Sequence, residues 1–141
     1  MRIAVSGTHF SGKTTLINAL STKLHGYEIF EEPYHVLEES GYDFSDPPSI
    51  EDFEKQLECS TELIKSSPKK TIFDRSPIDF LAYALVKSEE DHDQCDMESW
   101  QTQIENVISD IDVLIFLPIE YPDSIKGDCY FRSFRLFTEE N

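Results

Sequence analysis

The sequence predicts an α/β domain, a three-layer α/β/α fold around a mainly parallel sheet. Two observations carry this. Short apolar runs alternate with segments of helical period along most of the chain, which implies right-handed crossovers between parallel strands. The first of these runs passes through a glycine-rich turn straight into a helix, so a strand, a turn and a helix follow one another without a break. With 141 residues, 39% of them hydrophobic, the chain is long enough for one compact domain with a sizeable core.

The elements follow in order. Residues 2–6 (RIAVS) are short and apolar and end at Gly7, which suits a buried strand; Leu16, Ile17, Leu20 and Leu24 then recur at helical spacing. Gly26 stands where that helix should stop, and residues 27–30 (YEIF) form a second strand that ends at Glu31, Glu32 and Pro33. Glycine, aspartates and two prolines between 41 and 48 mark a loop. Ser49 with Asp52 three residues later opens a helix whose apolar face is Ile50, Phe53, Leu57 and Ile64, and Ser67 and Pro68 close it. Residues 71–74 (TIFD) form a brief strand. Ser76, Pro77 and Asp79 supply a cap, a first-turn proline and a first-turn acid for a helix to about Val86. The acidic stretch 88–96 reads as a solvated connector, in which His92, Asp93, Cys95 and Asp96 lack metal-ligand spacing. Met97, Trp100, Ile104, Val107 and Ile108 restore helical period, and residues 113–117 make a last buried strand stopped by Pro118. Residues 119–141 are expected to be a lid or an irregular segment of the same domain.

The glycine-rich turn carries the chemistry. Residues 7–14 (GTHFSGKT) fit the spacing G-x-x-x-x-G-K-[ST], and they lie between a strand and a helix, which is the context that gives the spacing meaning. Glycine lets the backbone curl until successive N–H groups point inward, the helix adds its positive end, and Lys13 supplies a mobile cation for the outer phosphates. Gly7, Thr8, His9, Phe10, Ser11, Gly12, Lys13, Thr14 and Thr15 are therefore the expected nucleotide-binding residues, with Thr14 placing its hydroxyl on Mg²⁺ and Thr15 on the helix surface.

If the sheet is parallel, two further groups share the rim of this cradle, because ligands collect at the carboxyl ends of such strands. Glu31 and Glu32 end the second strand; Glu32, fixed by Pro33, is the better placed to take a proton from an attacking hydroxyl or hold metal-bound water. Asp74 and Arg75 end the third, with Asp74 suited to Mg²⁺ and Arg75 to phosphate oxygens. Ser76, an N-cap, and Asp79, a first-turn acid, are assigned to structure. Arg132 and Arg135, three apart, fit either phosphate clamps on a lid or amphipathic stems over apolar surface. Tyr34, Phe44, Phe53 and Tyr83 lie where an acceptor pocket would form, although core packing is the default for aromatics.

Charge narrows the partners. Twenty-eight acidic against twelve basic residues give −16, which repels a nucleic-acid polymer while leaving room for a small nucleotide in a local cradle. No apolar run is long enough to span a membrane and no secretory signal is visible, so a cytoplasmic protein is expected. Cys59, Cys95 and Cys129 have no spacing that suggests a disulfide framework or zinc.

Through GTHFSGKTT at 7–15, EEP at 31–33, DRSPID at 74–79 and DVLIFLP at 112–118, the chain resembles the P-loop kinase group. That group includes deoxynucleoside kinases, thymidylate kinases and, most similar in size and layout, a bacterial family of AAA-labelled ATP-binding proteins similar to ribosylnicotinamide kinase domains. The resemblance spans residues 1–118. It implies a P-loop NTPase fold and a kinase that moves the γ-phosphoryl group of ATP to a nucleoside-like or nucleotide acceptor. Lys13 and Thr14 would lie on phosphates and Mg²⁺, Glu32 on the acceptor hydroxyl, and Asp74 and Arg75 beside the metal and the transferred group. It also implies a truncated C-terminus, since that group continues beyond an arginine-bearing lid into another strand and an adenine-contacting loop. Two other functions fit the same cradle: a regulatory ATPase or GTPase switch, and a nucleotide-binding module without catalysis. For a Ras-type GTPase the Asp-x-x-Gly and Asn-Lys-x-Asp signatures are absent.

Overall fold

The computed structural model describes residues 1–8, 11–92 and 96–118. Its elements are β1 (Arg2–Ser6), α1 (Lys13–Lys23), β2 (Glu28–Phe30), α2 (Pro33–Glu39), α3 (Ile50–Ser66), β3 (Thr71–Asp74), α4 (Pro77–Asp91), α5 (Met97–Ile108) and β4 (Val113–Phe116). The four strands form one parallel sheet in the order β2-β3-β1-β4. In this register Ala4 lies beside both Phe73 and Leu114, and Phe73 beside Phe30. All four carboxyl ends therefore reach one rim.

Successive side chains of a strand point to opposite faces, and the core divides accordingly. Ile3, Val5 and Ile72 meet Ile17 of α1 on one face. Ala4 and Phe73 meet Ile64 of α3 and Val107 of α5 on the other. A third cluster joins Phe53 and Leu57 of α3, Phe80, Tyr83 and Val86 of α4, and Trp100 and Ile104 of α5. The helix starts follow local chemistry. Ser49 with Asp52 and Ser76 with Asp79 each form a reciprocal capping box, and the Asp96 carboxylate caps α5 through Ser99 N–H.

Three elements differ from expectation. Strand β4, expected to be buried, is an edge strand on which Val113, Leu114 and Phe116 are exposed. Helix α2 was not anticipated; Pro33 occupies its first turn, where the missing N–H costs nothing. Helix α4 runs to Asp91 instead of Val86, taking up the first part of the acidic connector, and Lys87 and Asp91 pair across one turn at 3.3 Å. Among the described residues no helix is long and apolar enough to cross a membrane.

Candidate active site

The cradle is the turn from β1 into α1. Gly12, the α1 N-cap, has φ 93°, a conformation unfavourable for residues with a Cβ. A Cβ on Gly7 would lie 2.7 Å from Ser11 Oγ and 3.0 Å from the Leu117 carbonyl oxygen. Lys13 begins the helix with its side chain buried, and its Nζ donates to the Thr8 carbonyl at 2.9 Å. Burial, with the Arg75 charge adding to it, lowers the Lys13 pKa to about 8. Thr14 and Thr15 are exposed on the first turn of α1. His9 and Phe10 lie outside the described residues.

Beside the cradle, the rim residues of β2 and β3 come together. Arg75 is 5% exposed and adopts φ 79°, in the left-handed region that a non-glycine residue enters only when its surroundings hold it there. Its Nε donates to Glu32 Oε2 at 3.0 Å, while one terminal nitrogen donates to the Gly7 carbonyl at 2.9 Å and to the Tyr83 hydroxyl at 3.1 Å. Burial opposes its charge, but Tyr83, Asp79 and Glu32 more than compensate and hold its pKa above the ordinary arginine value. Burial likewise pushes Glu32 upward, yet the charge and hydrogen bond of Arg75 win, so its carboxyl sits below the usual range and stays ionised at neutral pH. Of the glutamate pair, Glu32 carries these contacts and Glu31 is exposed.

Asp74 has the opposite electrostatics. Its Oδ1 is buried without a hydrogen-bond partner, and burial followed by repulsion from Glu32 raises its pKa. A buried carboxylate oxygen lacking a donor fits a site that a cation completes.

Asp79 does more than cap α4. Its Oδ2 accepts the Ser76 N–H at 2.9 Å, as the sequence implies, but Oδ1 accepts the Gly7 N–H at 3.0 Å and lies 3.8 Å from Arg75. The flanking peptide groups of Gly7 are thus clamped from both sides, N–H by Asp79 and C=O by Arg75. The sequence signal for this was the local cap; the partner 72 residues away had no signal.

Next to Glu32 opens a cavity of about 620 Å³ walled by Tyr34, Phe44, Phe53, Gln56 and Tyr83, with Arg75 in its lining. Its rings are paired: Tyr34 stacks on Phe44 at 4.4 Å, and Phe53 on Tyr83 at 5.6 Å between centroids. All four aromatics singled out in the sequence line it, although Phe53 and Tyr83 are also core residues. Gln56, buried on α3, was not foreseen; the apolar pattern of that helix masks a polar residue turned inward. Arg132 and Arg135 lie outside the described residues, as do Asp93 and Cys95 of the acidic connector. No group of three or more metal-ligating side chains occurs among the described residues.

Residues 2–118 match the AAA domain family. The chain belongs to that family. The matched span of the AAA domain holds the cradle, Glu32, Asp74 and Arg75. Among curated proteins none matches the chain by sequence. Among solved structures, deoxyadenosine kinase from M. mycoides with bound dATP is similar at 24% identity and a TM-score of 0.67, over 99% of this chain and 83% of that one. Thymidylate kinase from Candida albicans is similar at 20% identity and a TM-score of 0.64, over 99% and 74% of the two chains. The AAA domain here has the α/β P-loop kinase fold.

Proposed function

We propose that this chain is a kinase that moves the γ-phosphoryl group of ATP to a hydroxyl of an uncharged, nucleoside-like small molecule. The observation that carries this reading is the position of Glu32, which lines the 620 Å³ cavity while bonded to Arg75, itself bonded to the cradle at Gly7. An acceptor hydroxyl in that cavity would meet an ionised carboxylate on the phosphate side.

The residues present fit a magnesium nucleotide. Backbone N–H groups of the cradle and Lys13 would hold its phosphates, and the Thr14 hydroxyl and the partnerless Asp74 Oδ1 would hold Mg²⁺, directly or through water. Mg²⁺ bound there supplies neutralisation of phosphate charge. Glu32 orients the acceptor hydroxyl and receives its proton as the new O–P bond forms and the bond from the γ-phosphorus to the bridging oxygen of the diphosphate leaving group breaks. A carboxylate of lowered pKa suffices, because the transition state is loose and the proton leaves late. Arg75 keeps that carboxylate ionised and aimed. Lys13 follows the charge that develops on the leaving group.

The same wall favours a neutral acceptor over a monophosphate. Its guanidinium is engaged by Glu32, Gly7 and Tyr83, and the carboxylates of Glu32 and Asp46 share the lining. The test is transfer of labelled γ-phosphate from ATP with Mg²⁺ to ribo- and deoxyribonucleosides and their monophosphates. Transfer to a nucleoside is expected, with Glu32→Gln lowering kcat about 10²-fold or more. No transfer across the panel would overturn the reading, and a monophosphate as the better acceptor would overturn the choice of a neutral one.

A further inference from the structure

The outer wall of the cavity comes from Phe44, Ser45, Asp46 and Pro48, in a segment without regular structure. Ordering such a loop costs backbone entropy, so a stacked Phe44 needs something to hold it. Asp52 is the group in place. It is 2% exposed, in the first turn of α3, and does not line the cavity. Its Oδ2 accepts the Ser49 N–H at 2.8 Å, which is ordinary capping. Two further bonds are not capping. Oδ1 accepts the Tyr42 hydroxyl at 2.9 Å and Oδ2 accepts the Ser45 N–H at 3.0 Å, so the loop is gripped on both sides of Phe44. The Tyr42 ring then meets Phe44 edge-on at 4.7 Å, and Phe44 stacks on Tyr34, two residues beyond Glu32. A continuous line of contacts runs from Asp52 to the wall that faces the rim carboxylate.

We propose that Asp52 and Tyr42 are positioning residues that set acceptor affinity by fixing Phe44 as the outer wall of the cavity. The inference rests on reading that cavity as the acceptor site. Burial pushes the Asp52 pKa up, but hydrogen bonds from Ser49, Tyr42 and Ser45 bring it below the usual range, so the pin stays charged at neutral pH. Neither residue touches the acceptor. Their effect is on binding geometry, and it separates from chemistry as a change in KM without a matching change in kcat.

The experiment compares Tyr42→Phe, Asp52→Asn and Ser49→Ala with the wild type, by calorimetric binding of nucleosides and by steady-state transfer from ATP. Tyr42→Phe keeps the ring and removes one bond to a carboxylate; the acceptor Kd and KM should rise about five- to tenfold, with kcat and the ATP KM within about twofold. Asp52→Asn should do the same or more, and amide hydrogen exchange at Ser45 should accelerate. Ser49→Ala removes a helix cap yet leaves the Tyr42 and Ser45 bonds, so it should lower Tm without moving the acceptor KM. If Tyr42→Phe and Asp52→Asn leave acceptor binding within twofold of a wild type that binds nucleosides, the proposal is overturned and the kinase reading stands. A wild type that binds no nucleoside overturns both.

Discussion

Nucleotide binding should take up protons, and Lys13 sets the amount. Its pKa is lowered to about 8, first by burial and then by the charge of Arg75. In the free protein about half of the Lys13 amines are therefore neutral at pH 8, and about a tenth at pH 7. Phosphates placed against Nζ favour the charged form and return the pKa toward its ordinary value of about 10.4. Binding at pH 8 then consumes about half a proton, and apparent affinity weakens about tenfold between pH 7 and pH 9. The assay is titration calorimetry of ATP with Mg²⁺ in buffers of different ionisation enthalpy, where the slope of observed heat against buffer enthalpy counts the protons. Lys13→Arg, whose side chain stays charged, should give no uptake at pH 8. A flat slope for the wild type at pH 8, or the same slope in Lys13→Arg, would refute the reasoning. The sign for stability is fixed as well. The folded pKa lies below the unfolded one, so the cost of burying the charge is full below pH 8 and is relieved as pH rises toward 10.5.

Asp74→Asn should raise the unfolding midpoint of the nucleotide-free protein at neutral pH, because the folded carboxyl has a raised pKa and its ionised form is disfavoured. The advantage should vanish below about pH 4, where both states of the wild type are protonated, and the same variant should lose Mg²⁺-dependent stabilisation by ATP in a thermal-shift assay. Arg75→Ala should cost about 3 kcal/mol in denaturant unfolding by stranding Glu32, whereas Arg75→Gly should be about 1 kcal/mol less damaging, since φ 79° suits glycine. Equal losses would argue against backbone strain at that position. Gly7→Ala should abolish the thermal shift given by ATP, as its methyl group would press on Ser11 and Leu117; a normal shift would show that the cradle can rearrange.

The cradle, the parallel sheet and the rim acids were legible because each rests on a local pattern. Glycine spacing fixes the turn, and a strand that ends in an acid puts that acid on the rim. What stayed hidden was tertiary. Helix α2 escaped because Pro33 read as the end of a strand rather than the first turn of a helix, and the helix's seven residues are too few for a clear period. Asp79 read as a structural first-turn acid and does cap α4, but its bond to Gly7 joins residues 72 apart. Arg75 was expected to face phosphate, and its described bonds to Glu32, Gly7 and Tyr83 were not foreseen. That outcome needs the sheet order, which places β3 between β2 and β1, and no strand sequence states its neighbour.

The partition of the core bears on how such a protein can change. The cradle leans on Ile3, Val5, Ile17 and Ile72, whereas the cavity leans on Phe53, Leu57, Phe80 and Tyr83. Replacing residues along α2, the following loop and the inward face of α3 remodels one side without disturbing the packing beneath the other. Arg75, bonded to Glu32 beside the cavity and to Gly7 in the cradle, joins the two sides, so on the proposed reading the side that would hold phosphate can keep its sequence while the side that would hold the acceptor changes shape.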